Sequence, residues 1–155
     1  MELPWENLRS QLPRKEKKFF ERPPNWRSPE MLSSGYVMWR TKNARRGYLL
    51  ETITSDEASL WAFELERVRN TSSGAIMCDL CKYVHSEADV GTSILTFRPT
   101  KTISRNFIVC ADLQCSSRYK DIGVNSMRET MSPAEKLERF EVELVNFLEK
   151  IREAP

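Results

Sequence analysis

The sequence lacks the features that mark several large protein classes. It has no apolar run of the roughly 18 residues that a membrane-spanning helix needs, and residues 1–25 hold no apolar stretch typical of a secretory signal peptide. It contains a single histidine, and we find no nucleophile elbow, phosphate-binding loop or paired-histidine metalloprotease motif. These absences predict a cytoplasmic protein that is not an enzyme, does not act on a membrane and has no evident small-molecule substrate.

Composition and length predict an ordinary globular chain. With 155 residues, of which 40% are hydrophobic and 30% charged, the chain is about one domain long and can bury a core. Its formal net charge of +2 is too small to indicate a nucleic-acid binder. The charges are uneven, because residues 40–46 and 98–105 carry bases and no acid, whereas residues 129–153 carry seven acids against four bases.

The four cysteines fall in two pairs. Cys78 and Cys81 are separated by two residues, Cys110 and Cys115 by four, and 28 residues lie between the pairs. A Cys-x2-Cys turn lets two thiolates converge on one ion, and a second pair completes the tetrahedral sulfur shell that zinc prefers. The spacing therefore predicts one structural zinc ion, in a closed site that builds the fold and performs no chemistry.

Other interpretations of these cysteines remain open. Two disulfides would suit a small secreted domain, and a thioredoxin-like redox site would need one Cys-x-x-Cys pair and leave Cys110 and Cys115 without a role. His85 lies four residues beyond Cys81 and could replace a thiolate. Because four cysteines already fill the shell, we expect His85 to be a loop or surface residue.

The chain is organised around these pairs. Residues 1–34, interrupted by prolines, predict an N-terminal arm with at most two short helices. Residues 35–76 predict a β-hairpin and a further strand. Within them, residues 59–68 fit either a strand or a helix, and their aromatic content favours the strand.

Residues 77–122 predict a treble-clef zinc finger, in which a knuckle, a hairpin with a basic tip and a helix share one metal. We expect Asp112 to be the N-cap of that helix and Cys115 to lie in its first turn. Residues 132–153 predict a long helix that begins with Ser132 as cap and Pro133 at N1. Its apolar residues recur every three or four positions and should pack on the sheet: Leu137, Phe140, Leu144, Phe147, Leu148 and Ile151. The predicted class is α+β, a small antiparallel sheet with a treble-clef zinc finger and a long C-terminal helix.

Three segments resemble a known family. Residues 77–81, the following hairpin and residues 107–116, a strand that ends in cysteine before Ala-Asp-Leu-x-Cys-Ser, look like the C-terminal zinc finger of elongation-factor-G-binding proteins. These are the fusidic-acid-resistance proteins of the FusB type and their shorter stand-alone relatives, the FBP domains. Residues 39–49 are similar to the tryptophan-arginine hairpin of the stand-alone forms. The resemblance covers residues 36–152. The resistance proteins carry a helical domain ahead of the finger, whereas here only the proline-interrupted residues 1–34 precede it, so the chain looks like the stand-alone form.

The resemblance implies a zinc-stabilised module that engages translation elongation factor G through the finger and helps to release the factor from the ribosome. Aromatic residues and arginines usually dominate protein interfaces. The finger offers these candidates for a partner-binding surface: Tyr83, Arg98, Lys101, Arg118, Tyr119 and Lys120. Binding of ribosomal or other nucleic acid stays open as the alternative, because the bases of residues 98–105 could contact phosphates while Tyr119 stacks on a base.

Overall fold

The structure, a computed structural model, describes residues 5–23, 36–43, 45–52, 58–68, 76–85, 91–98, 100–118 and 131–152. It combines short helices, two sheets and one long helix, which confirms the predicted α+β class. The elements in chain order are α1 (Trp5–Ser10), α2 (Arg14–Lys17), β1 (Tyr36–Arg40), β2 (Arg46–Thr52), β3 (Ala58–Arg67), β4 (Ile76–Met77), β5 (Val84–His85), β6 (Thr92–Phe97), β7 (Arg105–Cys110), α3 (Cys115–Arg118) and α4 (Pro133–Arg152).

The main sheet has five strands in the order β1-β2-β3-β6-β7, and β4 and β5 form a second, two-stranded sheet. The pairs β1–β2, β2–β3 and β6–β7 are antiparallel. Strand β3 confirms the strand interpretation of residues 59–68. Along it Phe63 and Leu65 are buried while Glu64 and Glu66 are exposed, which is the period of two that a sheet imposes.

Two compact units divide the chain, residues 1–64 and residues 65–155. In the first unit the apolar residues of the N-terminal segment are core residues. Trp5, Leu8 and Leu12 are buried in one cluster with hairpin residues such as Trp39 and Tyr48, and the rings of Trp5 and Trp39 meet edge to face with centroids 6.2 Å apart.

Hydrogen bonds hold this segment along the first hairpin. The Tyr48 hydroxyl donates to the Phe19 carbonyl at 2.9 Å, and the Trp39 indole N–H donates to the Glu21 carbonyl at 2.7 Å. Tyr48 is fully buried. The described part of residues 1–34 thus forms two short helices and completes the core of the first unit.

Helix α4 belongs to the second unit and begins as predicted. The Glu135 N–H donates to Ser132 Oγ at 3.2 Å, and the Ser132 N–H donates to Glu135 Oε2 at 3.1 Å, a reciprocal capping box. Pro133 occupies N1, where its missing N–H costs nothing.

The apolar face of α4 packs mainly through its C-terminal half. Phe140, Phe147, Leu148 and Ile151 are buried, whereas Leu137 is 40% exposed. The ring of Phe147 contacts Phe107 of β7 with centroids 4.5 Å apart, as expected for packing on the sheet. Among the described residues, no helix is both long and apolar enough to cross a membrane.

Candidate metal centre

The first pair of cysteines lies in the turn between β4 and β5. The Cys78 N–H donates to the Tyr83 carbonyl at 2.9 Å, and the Lys82 N–H donates to the Cys78 carbonyl at 3.0 Å. The Cys81 N–H points at Cys78 Sγ from 3.5 Å. Lys82 adopts a left-handed φ of +62° to close this turn. No glycine marks the position in the sequence, so the turn geometry could not be predicted from residue type.

The second pair spans the end of β7 and the start of α3. Cys110 is the last residue of the strand and Cys115 the first of the helix. Between them the Leu113 N–H donates to the Cys110 carbonyl at 2.9 Å, and Leu113 has a φ of +59°. This tight turn brings Cys115 back beside the strand end.

The prediction that Asp112 caps the helix is wrong. Asp112 Oδ1 accepts the N–H of Gln114 at 3.0 Å, two residues further on, in the pattern of an Asx turn. Since α3 begins only at Cys115, the carboxylate lies too early in the chain to act as the N-cap residue, and it closes the turn between the two ligands instead.

All four sulfurs converge on one point. Cys78 Sγ lies 3.7 Å from Cys115 Sγ, Cys81 Sγ lies 3.4 Å from Cys110 Sγ, and all four sulfurs fall within 4.8 Å of one another. Thiolates bound tetrahedrally to zinc, each at about 2.3 Å, lie about 3.8 Å apart. A disulfide would need about 2.05 Å, and all four cysteines are free and buried. The donor set fits one structural zinc ion.

Contacts within the cluster shift the pKa values of two of the thiols in opposite directions. Hydrogen bonds from Cys110, Cys115 and Cys81 lower the pKa of the Cys78 thiol. Hydrogen bonds with Cys110, Cys78 and Cys81, together with burial, raise the pKa of Cys115. Zinc binds thiolates, so loading the site releases protons and becomes weaker as the pH falls.

The expectation that His85 is a loop or surface residue is wrong. His85 lies in β5, is only 2% exposed, and places Nε2 3.1 Å from Cys110 Sγ. Pairing with Ile76 in the short β4–β5 sheet turns the imidazole inward, and the Tyr83 ring packs on it with centroids 4.7 Å apart. His85 contacts the sulfur of Cys110 but does not replace any of the four cysteine ligands. Residues that hydrogen-bond to a metal ligand in this way commonly orient it. The spacing of His85 from Cys81 was the only sequence signal for this position.

Asp79 joins the two halves of the site, a role that the sequence did not reveal. Its N–H donates to the Ile108 carbonyl at 2.7 Å, and its Oδ2 accepts the Ile108 N–H at 2.7 Å. Asp79 lies between the first two ligands and Ile108 two residues before the third. The turn that carries Cys78 and Cys81, called the knuckle here, is therefore hydrogen-bonded to β7 through both the backbone and the carboxylate of Asp79, much as a neighbouring strand would be.

Two of the predicted partner-binding residues meet beside the metal centre. Arg118 of α3 forms a bidentate ion pair with the Asp112 carboxylate, and its guanidinium lies 5.8 Å from the centre of the Tyr83 ring. Burial opposes ionisation of Asp112, but the hydrogen bonds from Arg118 and from the Gln114 N–H lower its pKa overall. The hydrogen bonds to Asp112 raise the pKa of Arg118. Tyr83 and Arg118 are both half-buried.

The other predicted partner residues lie elsewhere or are not described. Arg98 and Lys101 are exposed in the turn between β6 and β7. Strand β7 has six residues, and at about 3.4 Å per residue it separates this tip from Cys110 by about 17 Å. The structure therefore does not bring Arg98 and Lys101 together with Tyr83 and Arg118. Tyr119 and Lys120 lie outside the described residues.

Comparisons with known proteins agree with this geometry. No curated protein matches the chain. Among solved structures the chain is similar to the fusidic acid resistance protein FusC, with a TM-score of 0.51 and 17% sequence identity. The match covers 92% of this chain and 59% of that one, so this chain spans less than two thirds of FusC. The family model described as the FBP C-terminal treble-clef zinc-finger matches residues 10–151. The chain therefore belongs to the FBP C-terminal treble-clef zinc-finger family.

Proposed function

We propose that this protein is a zinc-stabilised binding module that engages translation elongation factor G. Membership of the FBP family and the similarity of fold to a fusidic acid resistance protein support the proposal. A site of four thiolates is closed, because it leaves no coordination position for water or substrate. The metal would thus shape a binding surface and not carry out a reaction. The proposal places the protein in the cytoplasm, where translation takes place.

The contact between Tyr83 and Arg118 is the observation from which we propose that these two residues bind the partner. Tyrosine and arginine are among the residues that most often dominate the binding energy of protein interfaces. Here the bidentate bond to Asp112 fixes the guanidinium, so little side-chain freedom remains to be lost on binding. Both side chains are half-buried, with part of their surface still open to a partner.

The metal centre would hold this pair in place. Tyr83 follows the knuckle, one residue beyond Lys82, and Arg118 ends the helix that begins with the ligand Cys115. Each contact residue therefore comes from a different half of the zinc site. Loss of the metal should separate them, and partner binding should depend on zinc even though no ligand touches the partner.

A direct binding measurement tests the proposal. Purified elongation factor G is titrated with the zinc-loaded protein in a calorimeter, and Tyr83→Ala and Arg118→Lys are compared with Thr102→Ala, an exposed residue at the far hairpin tip. Loss of a dominant contact should weaken binding about 30-fold, equivalent to about 2 kcal/mol. Zinc content and the melting temperature are measured in the same samples, so that a folding defect is recognised.

Two results would contradict the proposal. Absence of binding by the zinc-loaded wild-type protein removes the partner itself. Binding that is unchanged in Tyr83→Ala and Arg118→Lys, with zinc retained, removes the surface. Release of the factor from the ribosome is a further step of the proposal, and it is tested by adding the module to ribosomes with the factor stalled on them and measuring factor in the supernatant after sedimentation.

Nucleic-acid binding by the finger is the second candidate function. The exposure of Arg98 and Lys101 at the end of the β6–β7 hairpin, in a stretch without acids, favours it. Phosphate contacts predict a steep loss of affinity as salt rises, whereas an aromatic-centred protein interface predicts a shallow one. Titrations at two salt concentrations separate these two functions.

A further inference from the structure

We propose that the first unit carries a second binding surface, which holds the phosphate backbone of single-stranded RNA. We call it the basic arm surface and define it by five exposed side chains: Arg14, Lys15, Lys18, Lys42 and Arg45. It lies within residues 1–64 and shares no residue with the metal centre. The inference is independent of binding to elongation factor G.

Contacts within the first unit bring the two parts of this surface together. Arg46 of β2 forms a 3.0 Å ion pair with Glu16 of α2, and its guanidinium lies 3.9 Å from the centre of the Phe19 ring. The Lys42 N–H donates to Glu21 Oε2 at 3.1 Å. Residues 16–21 therefore run beside the β1–β2 turn, and the bases that flank them in each segment belong to one region.

Both acids of the arm segment contact the hairpin. Residues 9–22 contain only Glu16 and Glu21 as acids, and residues 40–46 contain none. The Glu16 side chain is only 12% exposed. Glu21 is exposed and keeps its charge while its Oε2 accepts the Lys42 N–H, but residues 9–22 and 40–46 together carry ten Lys and Arg residues against these two acids. Glu64 of β3 stands opposite Arg46 in the sheet. Around the arm and the turn, the charge left for a partner is therefore mainly positive.

The same turn keeps its shape without the basic side chains. Lys42 contributes only its backbone N–H to the contact with Glu21, and the backbone N–H of Arg45 donates to Asn43 Oδ1 at 3.1 Å. These two side chains point charge outward while the main chain does the structural bonding. The two charges can therefore be removed without unfolding the turn.

The burial pattern favours RNA over a membrane. A helix that lies on a membrane needs an apolar face directed at the lipid, whereas Trp5, Leu8 and Leu12 are buried in the protein core. Phe19, which is 41% exposed, is the large apolar side chain that the described part of the arm presents to solvent. Arg46 occupies one face of the Phe19 ring, and Lys18 Nζ lies 4.8 Å from its centre. An exposed ring edge among basic side chains suits a nucleic acid, because phosphates can pair with the basic side chains and a nucleobase can contact the part of the ring that stays exposed. An acidic protein is disfavoured, because such interfaces centre on several buried anchors.

The test uses the full zinc-loaded chain and a fluorescent single-stranded RNA of about 20 nucleotides and mixed sequence, followed by anisotropy over a range of salt. The variant removes three bases, Lys15→Ala, Lys42→Ala and Arg45→Ala. A control variant removes the same charge from α4 with Lys136→Ala, Lys150→Ala and Arg152→Ala. If each base neutralises one phosphate, affinity at 0.1 M salt should fall about 100-fold, and the slope of log K against log salt should decrease by about 2.

The outcomes separate the alternatives. The inference is supported if the arm variant loses RNA affinity and salt dependence while the α4 variant binds as the wild type does. It is overturned if the arm variant binds RNA normally, or if an Arg98→Ala, Lys101→Ala variant accounts for the whole loss. It is equally overturned if the wild-type protein does not bind the RNA at low salt. Sedimentation with vesicles that contain one third anionic lipid would then indicate a membrane as the partner, and the RNA inference would fail with or without it. Circular dichroism and zinc content of each variant identify a folding defect.

Discussion

Asp79 provides the sharpest test of how the metal centre is held together. Its backbone and its carboxylate both bond to Ile108, each at 2.7 Å, and thereby connect the knuckle to the strand that carries Cys110. Replacing Asp79 by alanine keeps the backbone bond and removes the carboxylate. A hydrogen bond to a charged group contributes about 1.5–3 kcal/mol, and because Asp79 is exposed, water can replace part of it, so we expect a loss of about 1.5 kcal/mol.

The matched control is Asp79→Asn. The asparagine carbonyl can accept the Ile108 N–H in the same geometry, so only the contribution of the charge is lost, and the cost should stay under about 1 kcal/mol. Stability is measured by urea unfolding of the zinc-loaded proteins, and release of zinc to a chromogenic chelator is followed by absorbance. We expect alanine to accelerate zinc release clearly and asparagine to accelerate it only slightly.

Two outcomes would refute this account of Asp79. An Asp79→Ala protein with wild-type stability and wild-type zinc release would show that the bond to Ile108 contributes nothing. Equal losses in the alanine and asparagine variants would show that the charge of Asp79, and not its ability to accept the Ile108 N–H, is what matters.

Three further predictions concern the metal, a helix cap and a buried tyrosine. Cys115→Ser should lower the melting temperature and abolish stoichiometric zinc binding, since metal binding supplies on the order of 10 kcal/mol of folding free energy in small fingers; an unchanged melting curve in a zinc-free protein would contradict this. Ser132→Ala should cost about 1 kcal/mol in urea unfolding, and Ser132→Thr much less. Burial, then the charge of Glu16, raises the pKa of Tyr48 to about 12 from 10.0. Because the folded protein keeps the Tyr48 proton that the unfolded chain loses near pH 10, this contribution to stability is complete below pH 10. It is lost as the pH rises towards 12, at about 1.4 kcal/mol per pH unit. In urea unfolding at pH 9 and pH 11, Tyr48→Phe should lack this decline, and an identical decline in both proteins would exclude the mechanism.

Part of the fold was predictable because it depends on neighbours in sequence. The capping box of Ser132 and Glu135 lies within one helical turn, and the apolar period of α4 follows from helix geometry alone. The aromatic content of residues 59–68 likewise favoured the strand that the structure shows as β3. Each of these signals lies within a short stretch of sequence, so no knowledge of the tertiary structure was needed to find it.

The contacts around the ligands were less predictable. His85 is buried against Cys110 because a two-residue strand pairs with Ile76, and such short strands leave no pattern in a sequence. The left-handed turn residues Lys82 and Leu113 carry side chains where glycine would be the usual signal. Asp112 has the residue type of an N-cap, but the turn closed by its own carboxylate delays the helix start to Cys115.

By itself, the sequence predicted that four thiols would share one metal, because two closely spaced cysteine pairs are the ligand set of a structural zinc site. It also determined the family, through the residues that follow Cys110. Only the tertiary structure decided which other groups serve the site and where charge accumulates. Asp79 with Ile108, Arg118 with Tyr83, and Arg46 with Glu16 are pairs distant in sequence, and only the folded chain could bring each pair together.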